Sequence, residues 1–125
     1  MDGDYCRGSI YGELRNILDS RKDIGFCLDV AHAVNTAFYL GEDSIFYLDK
    51  MLSLSPKVIH LCDGRIGEKL HSHLNIGEGD FDFVKIAEVI RSSYAEYMTV
   101  ETNKNNNGLQ DFVKDVGRVR ELMIQ

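Results

Sequence analysis

Three short segments of this chain are almost continuously apolar, and stretches with helical spacing separate them. The segments are Ile24 to Val30 (IGFCLDV), Lys57 to Cys62 (KVIHLC) and Tyr97 to Thr102 (YMTVET). They are rich in branched and aromatic side chains, which is typical of strands that are covered on both faces. Within them Cys27 and Cys62 are expected to behave as small buried hydrophobes. We therefore predict three buried strands in one parallel sheet.

Amphipathic segments surround the predicted strands. Four segments repeat their apolar residues every three or four positions, the spacing of a helix with one buried face. The predicted order is helix, strand, helix, strand, helix, strand, helix, and Asp80 or Asp82 is the expected N-cap of the third helix. Such alternation implies right-handed crossovers in an α/β protein. The apolar positions are Ile10, Leu14, Ile17 and Leu18; Ile45, Leu48, Met51 and Leu52; Phe83, Ile86, Val89 and Ile90; and Leu109, Phe112, Val113, Val116 and Val119.

The length, composition and net charge of the chain limit the kinds of protein that it can be. With 125 residues, of which 44% are hydrophobic and 27% charged, the chain suits one soluble domain, residues 1–125. No apolar run approaches the about 20 residues that cross a bilayer, and MDGDYCRGSI does not read as a secretory signal. We expect a cytoplasmic protein without a membrane partner. A net charge of −6 argues against a broad nucleic-acid surface, although a local site built on metal ions stays compatible with it.

The connection from Asp63 to Asp80, DGRIGEKLHSHLNIGEGD, has eighteen residues without a clear helical or strand pattern. A loop of this length in a compact domain is usually functional or disordered. It contains His71 and His73, and in an extended segment side chains two positions apart point the same way. We interpret His-Ser-His as a possible pair of metal ligands; the alternative is a solvated loop.

Each predicted strand closes with an ionisable residue. Asp29, His60 and Glu101 directly follow apolar side chains, where charge is rarely buried unless it is paired or bound to metal. In parallel barrels the carboxyl ends of strands carry the active site. Two carboxylates and an imidazole suit divalent ions such as Zn, Mn, Fe or Co. The alternatives are a helix cap for Asp29 and a backbone-bonded histidine for His60.

Two further side chains are candidates for substrate binding. His32 follows Asp29 by three residues, so both side chains can face one cleft. Arg65 can pair with a phosphate or a substrate oxygen, although exposed arginines without such a role are common.

The assembled motifs resemble the superfamily that joins xylose isomerase-like sugar isomerases and epimerases with endonuclease IV. GFCLDVAHA is similar to its sixth-strand motif, HLCDG to its seventh, HSHLNIGEGDFDF to the loop that ends in Gly-Glu-Gly, and TVET to its eighth strand. The resemblance implies a partial TIM barrel of about three βα units, strands six to eight, with a parallel sheet. Because a full barrel takes about 250 residues, it also implies a homo-oligomer or a missing N-terminal half.

The resemblance also implies roles for individual residues. Its motifs would make His32 either a second-metal ligand or a substrate-binding group. His73 matches a histidine of the family, whereas His71 stands where an acidic residue is usual. The fifth-strand metal ligand of the family has no clear counterpart, because only Asp2 or Asp4 is available near the start. The implied ligands of a divalent metal (Zn, Mn, Co or Mg) are Asp29, His60, Glu101, His73 and His71.

The leading functional hypothesis is a metal-dependent isomerase or epimerase of a small sugar or sugar phosphate. The ion would polarise the substrate carbonyl and hydroxyl while Glu101 moves the proton, with His32 as a second catalytic group and Arg65 on the substrate. One alternative is an endonuclease IV-like phosphodiesterase that acts on abasic DNA through two or three metals; nucleic acid is a partner only in that case. The other is a noncatalytic barrel remnant.

Overall fold

The computed structural model describes residues 10–69, 72–102 and 108–124. The described part is an α/β fold, and all four predicted helices form. Asp82, one of the two predicted caps, accepts a hydrogen bond from Lys85 N at 3.2 Å at the start of α4. Within the described part, no helix has the length and apolarity needed to cross a membrane. The elements are α1 (Tyr11–Ser20), β1 (Cys27–Asp29), α2 (Val30–Leu40), α3 (Ser44–Leu52), β2 (Val58–Leu61), α4 (Phe83–Arg91), β3 (Tyr97–Val100) and α5 (Leu109–Met123).

The order differs from the predicted one by an additional helix, α2, between β1 and α3. Its sequence, VAHAVNTAFYL, has six buried residues among eleven, so it lacks the wide polar face by which an amphipathic helix is recognised. It begins directly after β1, and it ends at Gly41, whose φ of 70° is the left-handed conformation that favours glycine as a helix cap. The first crossover therefore contains two helices.

The sheet is parallel, in the order β1-β2-β3, as predicted. Its register places Asp29 opposite His60, and His60 opposite Thr99. Pairing continues one residue beyond β3, because Glu101 N donates to Leu61 O at 2.7 Å. Since side chains alternate along a strand, Asp29, His60 and Glu101 lie on the same face at the carboxyl end of the sheet.

The opposite face of the sheet carries the hydrophobic core. Leu28, Ile59 and Leu61 lie there, with only 3%, 0% and 1% of their surface exposed. The predicted apolar faces of α3 and α4 are confirmed, whereas that of α5 holds in part: Val119 is buried but Val113 is exposed. The buried residues of α3 and α4 include Leu48, Met51, Leu52, Phe83, Ile86 and Ile90.

The face that carries the three ionisable residues is open, so the prediction of strands buried on both faces is wrong for the described part of the chain. Tyr97 is 66% exposed, and Cys27, predicted to be buried, is exposed as well; Cys62 is buried as predicted. In a closed barrel this face lines the interior, where other strands cover it. The fold is that of a partial TIM barrel whose inner side is accessible.

Candidate metal centre

Asp29, His60 and Glu101 converge at the carboxyl end of the sheet. One possible ligand atom from each lies within 4.8 Å of the others, and His60 Nδ1 is 3.0 Å from Glu101 Oε1. Ligands at about 2.1 Å from a shared ion lie about 3 to 4 Å apart, so the spacing is compatible with one ion. Two carboxylates and an imidazole, all half-buried, also have the chemistry that divalent transition metals favour. The donor set therefore fits the predicted metal.

Asp29 has a structural role in addition to its place in this group. Its Oδ1 accepts a hydrogen bond from His32 N at 2.9 Å and so caps α2. The helix-cap alternative is thus correct, but it does not compete with metal binding because a carboxylate has two oxygens. The cap bond also orients the carboxylate, as bonds around metal ligands commonly do.

His32 and His73, the other two described histidines, lie outside this three-residue group. His73 Nδ1 is 3.0 Å from Glu101 O. Because a carbonyl oxygen only accepts, Nδ1 is the donor in this contact. His32 is exposed on the first turn of α2. His71 lies outside the described residues.

Arg65 is exposed and paired within its own loop. Its Nη1 lies 3.2 Å from Asp80 Oδ1, and the same carboxylate accepts from Ile66 N at 3.3 Å. An exposed pair of this kind contributes little to stability, so Arg65 can exchange its partner at low cost. Its substrate-binding role stays a prediction.

The loop after β2 is organised by Asp63, a residue that the sequence did not single out. Its carboxylate, 1% exposed, accepts from Gly64 N (2.8 Å), Phe81 N (3.2 Å) and Gly77 N (2.9 Å). Its backbone exchanges two hydrogen bonds with Leu74, at 2.9 and 3.0 Å. The two ends of the loop are therefore bound to one buried carboxylate.

This arrangement explains the glycines of the Gly-Glu-Gly motif. Gly77 has a φ of 93°, which side chains disfavour. At Gly79 an added Cβ would lie 2.4 Å from Asp63 Oδ1 and 2.4 Å from Gly64 O. Both glycines allow the backbone to approach Asp63 closely, so the motif shapes the loop.

The loop is also held against α2. Gly67 N donates to Asn35 Oδ1 and Tyr39 Oη donates to Gly67 O, both at 2.8 Å. Phe38 packs so closely on Gly67 that a Cβ there would lie 2.8 Å from its ring. These contacts anchor the described part of the loop to α2, while the role of His-Ser-His in metal binding stays a prediction.

The two described cysteines lie outside the three-residue group. Burial, together with the nearby carboxylates of Asp29 and Glu101, raises the pKa of the Cys62 thiol to about 12. Partial desolvation of the sulfur and the same two carboxylates raise the pKa of the Cys27 thiol, although the residue as a whole is exposed. Near neutral pH both thiols are protonated in the metal-free protein, and neither belongs to the group of possible ligands.

Comparisons with known proteins agree with this geometry. A family model described as a xylose isomerase-like TIM barrel matches residues 1–122. No curated protein matches the sequence significantly. A solved structure, that of a D-tagatose 3-epimerase-like protein, has a TM-score of 0.66 and 22% sequence identity over 92% of this chain. The chain spans 41% of that protein's length. At this identity the likeness shows a common fold.

Proposed function

This chain belongs to the xylose isomerase-like TIM barrel family, and from that membership we propose that it carries the metal-binding strand ends of a sugar or sugar phosphate isomerase or epimerase. The observation that supports this most is the convergence of Asp29, His60 and Glu101 at the carboxyl end of the sheet. That edge is where barrel enzymes carry out their chemistry. The three residues would hold one divalent ion.

Each proposed residue has a distinct task. A bound divalent ion supplies polarisation of the substrate carbonyl and hydroxyl. Glu101 would accept the proton from the carbon next to the carbonyl and, in an isomerisation, deliver it to the adjacent carbon; an epimerisation would need a second group on the opposite face of the substrate to return the proton. His32 lies one helical turn from Asp29 and would bind a substrate hydroxyl. Arg65 would pair with the phosphate of a sugar phosphate in place of Asp80, because guanidinium binds phosphate strongly.

The phosphodiesterase alternative has less support from the described residues. Cleavage at abasic DNA by clustered metals needs ligands for more than one ion. Among the described residues one group of three lies within ligand distance of one another, and His73 is not part of it. A noncatalytic barrel remnant would bind no metal ion, whereas the side chains of Asp29, His60 and Glu101 are suited to bind a divalent ion.

Turnover of ketohexoses tests the proposal. A relative in fold is named as D-tagatose 3-epimerase-like, so D-tagatose and other ketohexoses, with their phosphates, are the first substrates to try. We expect epimerisation with Mn²⁺ or Co²⁺, together with exchange of the substrate C–H hydrogen in D₂O. Chelator and Glu101→Gln should abolish both. A metal-loaded protein that neither turns over nor exchanges hydrogen in any of these sugars would contradict the proposal.

Assembly is part of the proposal. The exposed inner face, with Tyr97 at 66% exposure, needs cover to exclude water from the chemistry. We expect the chain to form a homo-oligomer in which another copy covers this face. Light scattering coupled to size exclusion at micromolar concentration measures this. A monodisperse monomer that unfolds cooperatively would contradict the expectation.

A further inference from the structure

The residue that follows Glu101 is anchored by a buried carboxylate on α5. Thr102 Oγ1 donates to Asp115 Oδ2 at 2.7 Å, and Asp115 is only 1% exposed. Burying a carboxylate is costly unless hydrogen bonds compensate it. The proposed reaction uses neither Thr102 nor Asp115, so their contact needs another explanation.

The same carboxylate also binds the loop that follows β2. Asp115 Oδ1 accepts from Ile76 N at 3.0 Å. Three residues before Ile76, His73 directs Nδ1 to Glu101 O at 3.0 Å. The contacts thus form a closed ring that runs from Glu101 through Thr102, Asp115, Ile76 and His73 back to Glu101.

This ring lies where the sheet no longer supports the chain. β3 ends at Val100, and beyond it the backbone of Glu101 keeps one sheet-like bond, from its N–H to Leu61 O. The carbonyl of Glu101 and the residue after it are held by His73 and Asp115 instead. A ligand placed past a strand end needs such support, because displacement by about 1 Å is enough to weaken a site.

We propose that Asp115 and Thr102 are positioning residues that hold the Glu101 carboxylate in the geometry a metal ion requires, an inference that rests on the proposed function. Residues that support metal ligands from outside typically contribute about 10- to 100-fold to metal affinity. A purely structural role differs in its consequences. It would lower the stability of the fold and leave the metal affinity of the folded protein unchanged.

Thr102→Val tests this with a small change, because valine keeps the shape of threonine and removes the hydroxyl. We expect Co²⁺ to bind about ten-fold more weakly to the folded variant, with an altered visible absorption spectrum. Thr102→Ser keeps the hydroxyl and should retain wild-type affinity. Thr36→Val is the matched control, because Thr36 lies on α2 and its hydroxyl makes no hydrogen bond to the described residues. Circular dichroism establishes that each variant is folded.

Asp115→Ala removes the same contact from the other side. In the double variant with Thr102→Val, cobalt affinity should fall no further than in the Asp115→Ala variant alone, since both changes break one ring. If Asp115→Ala does not fold, the Thr102 series decides by itself. Wild-type cobalt affinity and spectrum in Thr102→Val would overturn the inference and leave the proposed function standing. Absence of cobalt binding by the wild type would overturn both.

Discussion

Replacing Gly79 by alanine is expected to lower the free energy of unfolding by about 3 kcal/mol, the upper part of the usual range for overpacking. The added Cβ would lie 2.4 Å from Asp63 Oδ1, 2.4 Å from Gly64 O and 2.7 Å from Gly64 N. Two of these atoms belong to the backbone, and the third belongs to a carboxylate fixed by three N–H donors. None can move without breaking the bonds that close the loop. Urea denaturation followed by circular dichroism measures the change.

Gly117→Ala is the matched control, because it makes the same chemical change where there is room. Gly117 lies in the interior of α5, and a Cβ there meets nothing within 4 Å. Alanine is favoured over glycine in a helix by about 1 kcal/mol, so this variant should be more stable than the wild type. Replacing glycine by alanine lowers the conformational entropy of the unfolded chain similarly in both variants, so the difference between their stabilities reflects the folded state. Equal stability of Gly79→Ala and the wild type would contradict the close approach to Asp63.

Asp29→Asn is expected to separate metal binding from folding. Asparagine caps helices as well as aspartate does, so α2 should keep its stability. The uncharged amide is a poor ligand for a transition metal, and we expect metal affinity to fall more than about 100-fold, beyond what residues that only support a ligand contribute. Isothermal titration with Mn²⁺ or Co²⁺ and urea denaturation in chelator measure the two effects.

The control for this prediction is Asp29→Ala, which removes both functions of the side chain. It should lose metal as Asp29→Asn does, and in the metal-free form it should also lose about 1 kcal/mol of stability. Retention of wild-type metal affinity in Asp29→Asn would remove Asp29 from the proposed ligands. Equal stability of the two variants would mean that the cap bond to His32 N contributes nothing.

Much of the fold was predictable because its signals are local. Strand segments such as KVIHLC and the helical spacing of Phe83, Ile86 and Ile90 depend only on which faces are apolar. The grouping of Asp29, His60 and Glu101 followed from one further rule, that parallel strands end at the same edge of a sheet. α2 was not predicted, because a helix that is buried on most sides lacks the periodic polar residues by which an amphipathic helix is recognised.

The buried carboxylates were not predictable by these rules. Asp63 and Asp115 look like ordinary polar residues of a loop and a helix, and their roles depend mainly on donors 13 to 39 positions away along the chain. The available signal was Gly77 and Gly79 together, since two glycines so close indicate a backbone that must approach something closely. What they approach is a tertiary contact, which a single sequence does not reveal.

Asp29, His60 and Glu101 are proposed to form one metal centre, and a cobalt titration followed by visible absorption tests this proposal. The wild type and Glu101→Gln, which has nearly the same shape without the charge, are titrated side by side. We predict saturation of the wild type at one Co²⁺ per chain, with ligand-field bands from a nitrogen and oxygen site, and no saturable binding to Glu101→Gln. Equal cobalt binding by the two proteins would contradict it.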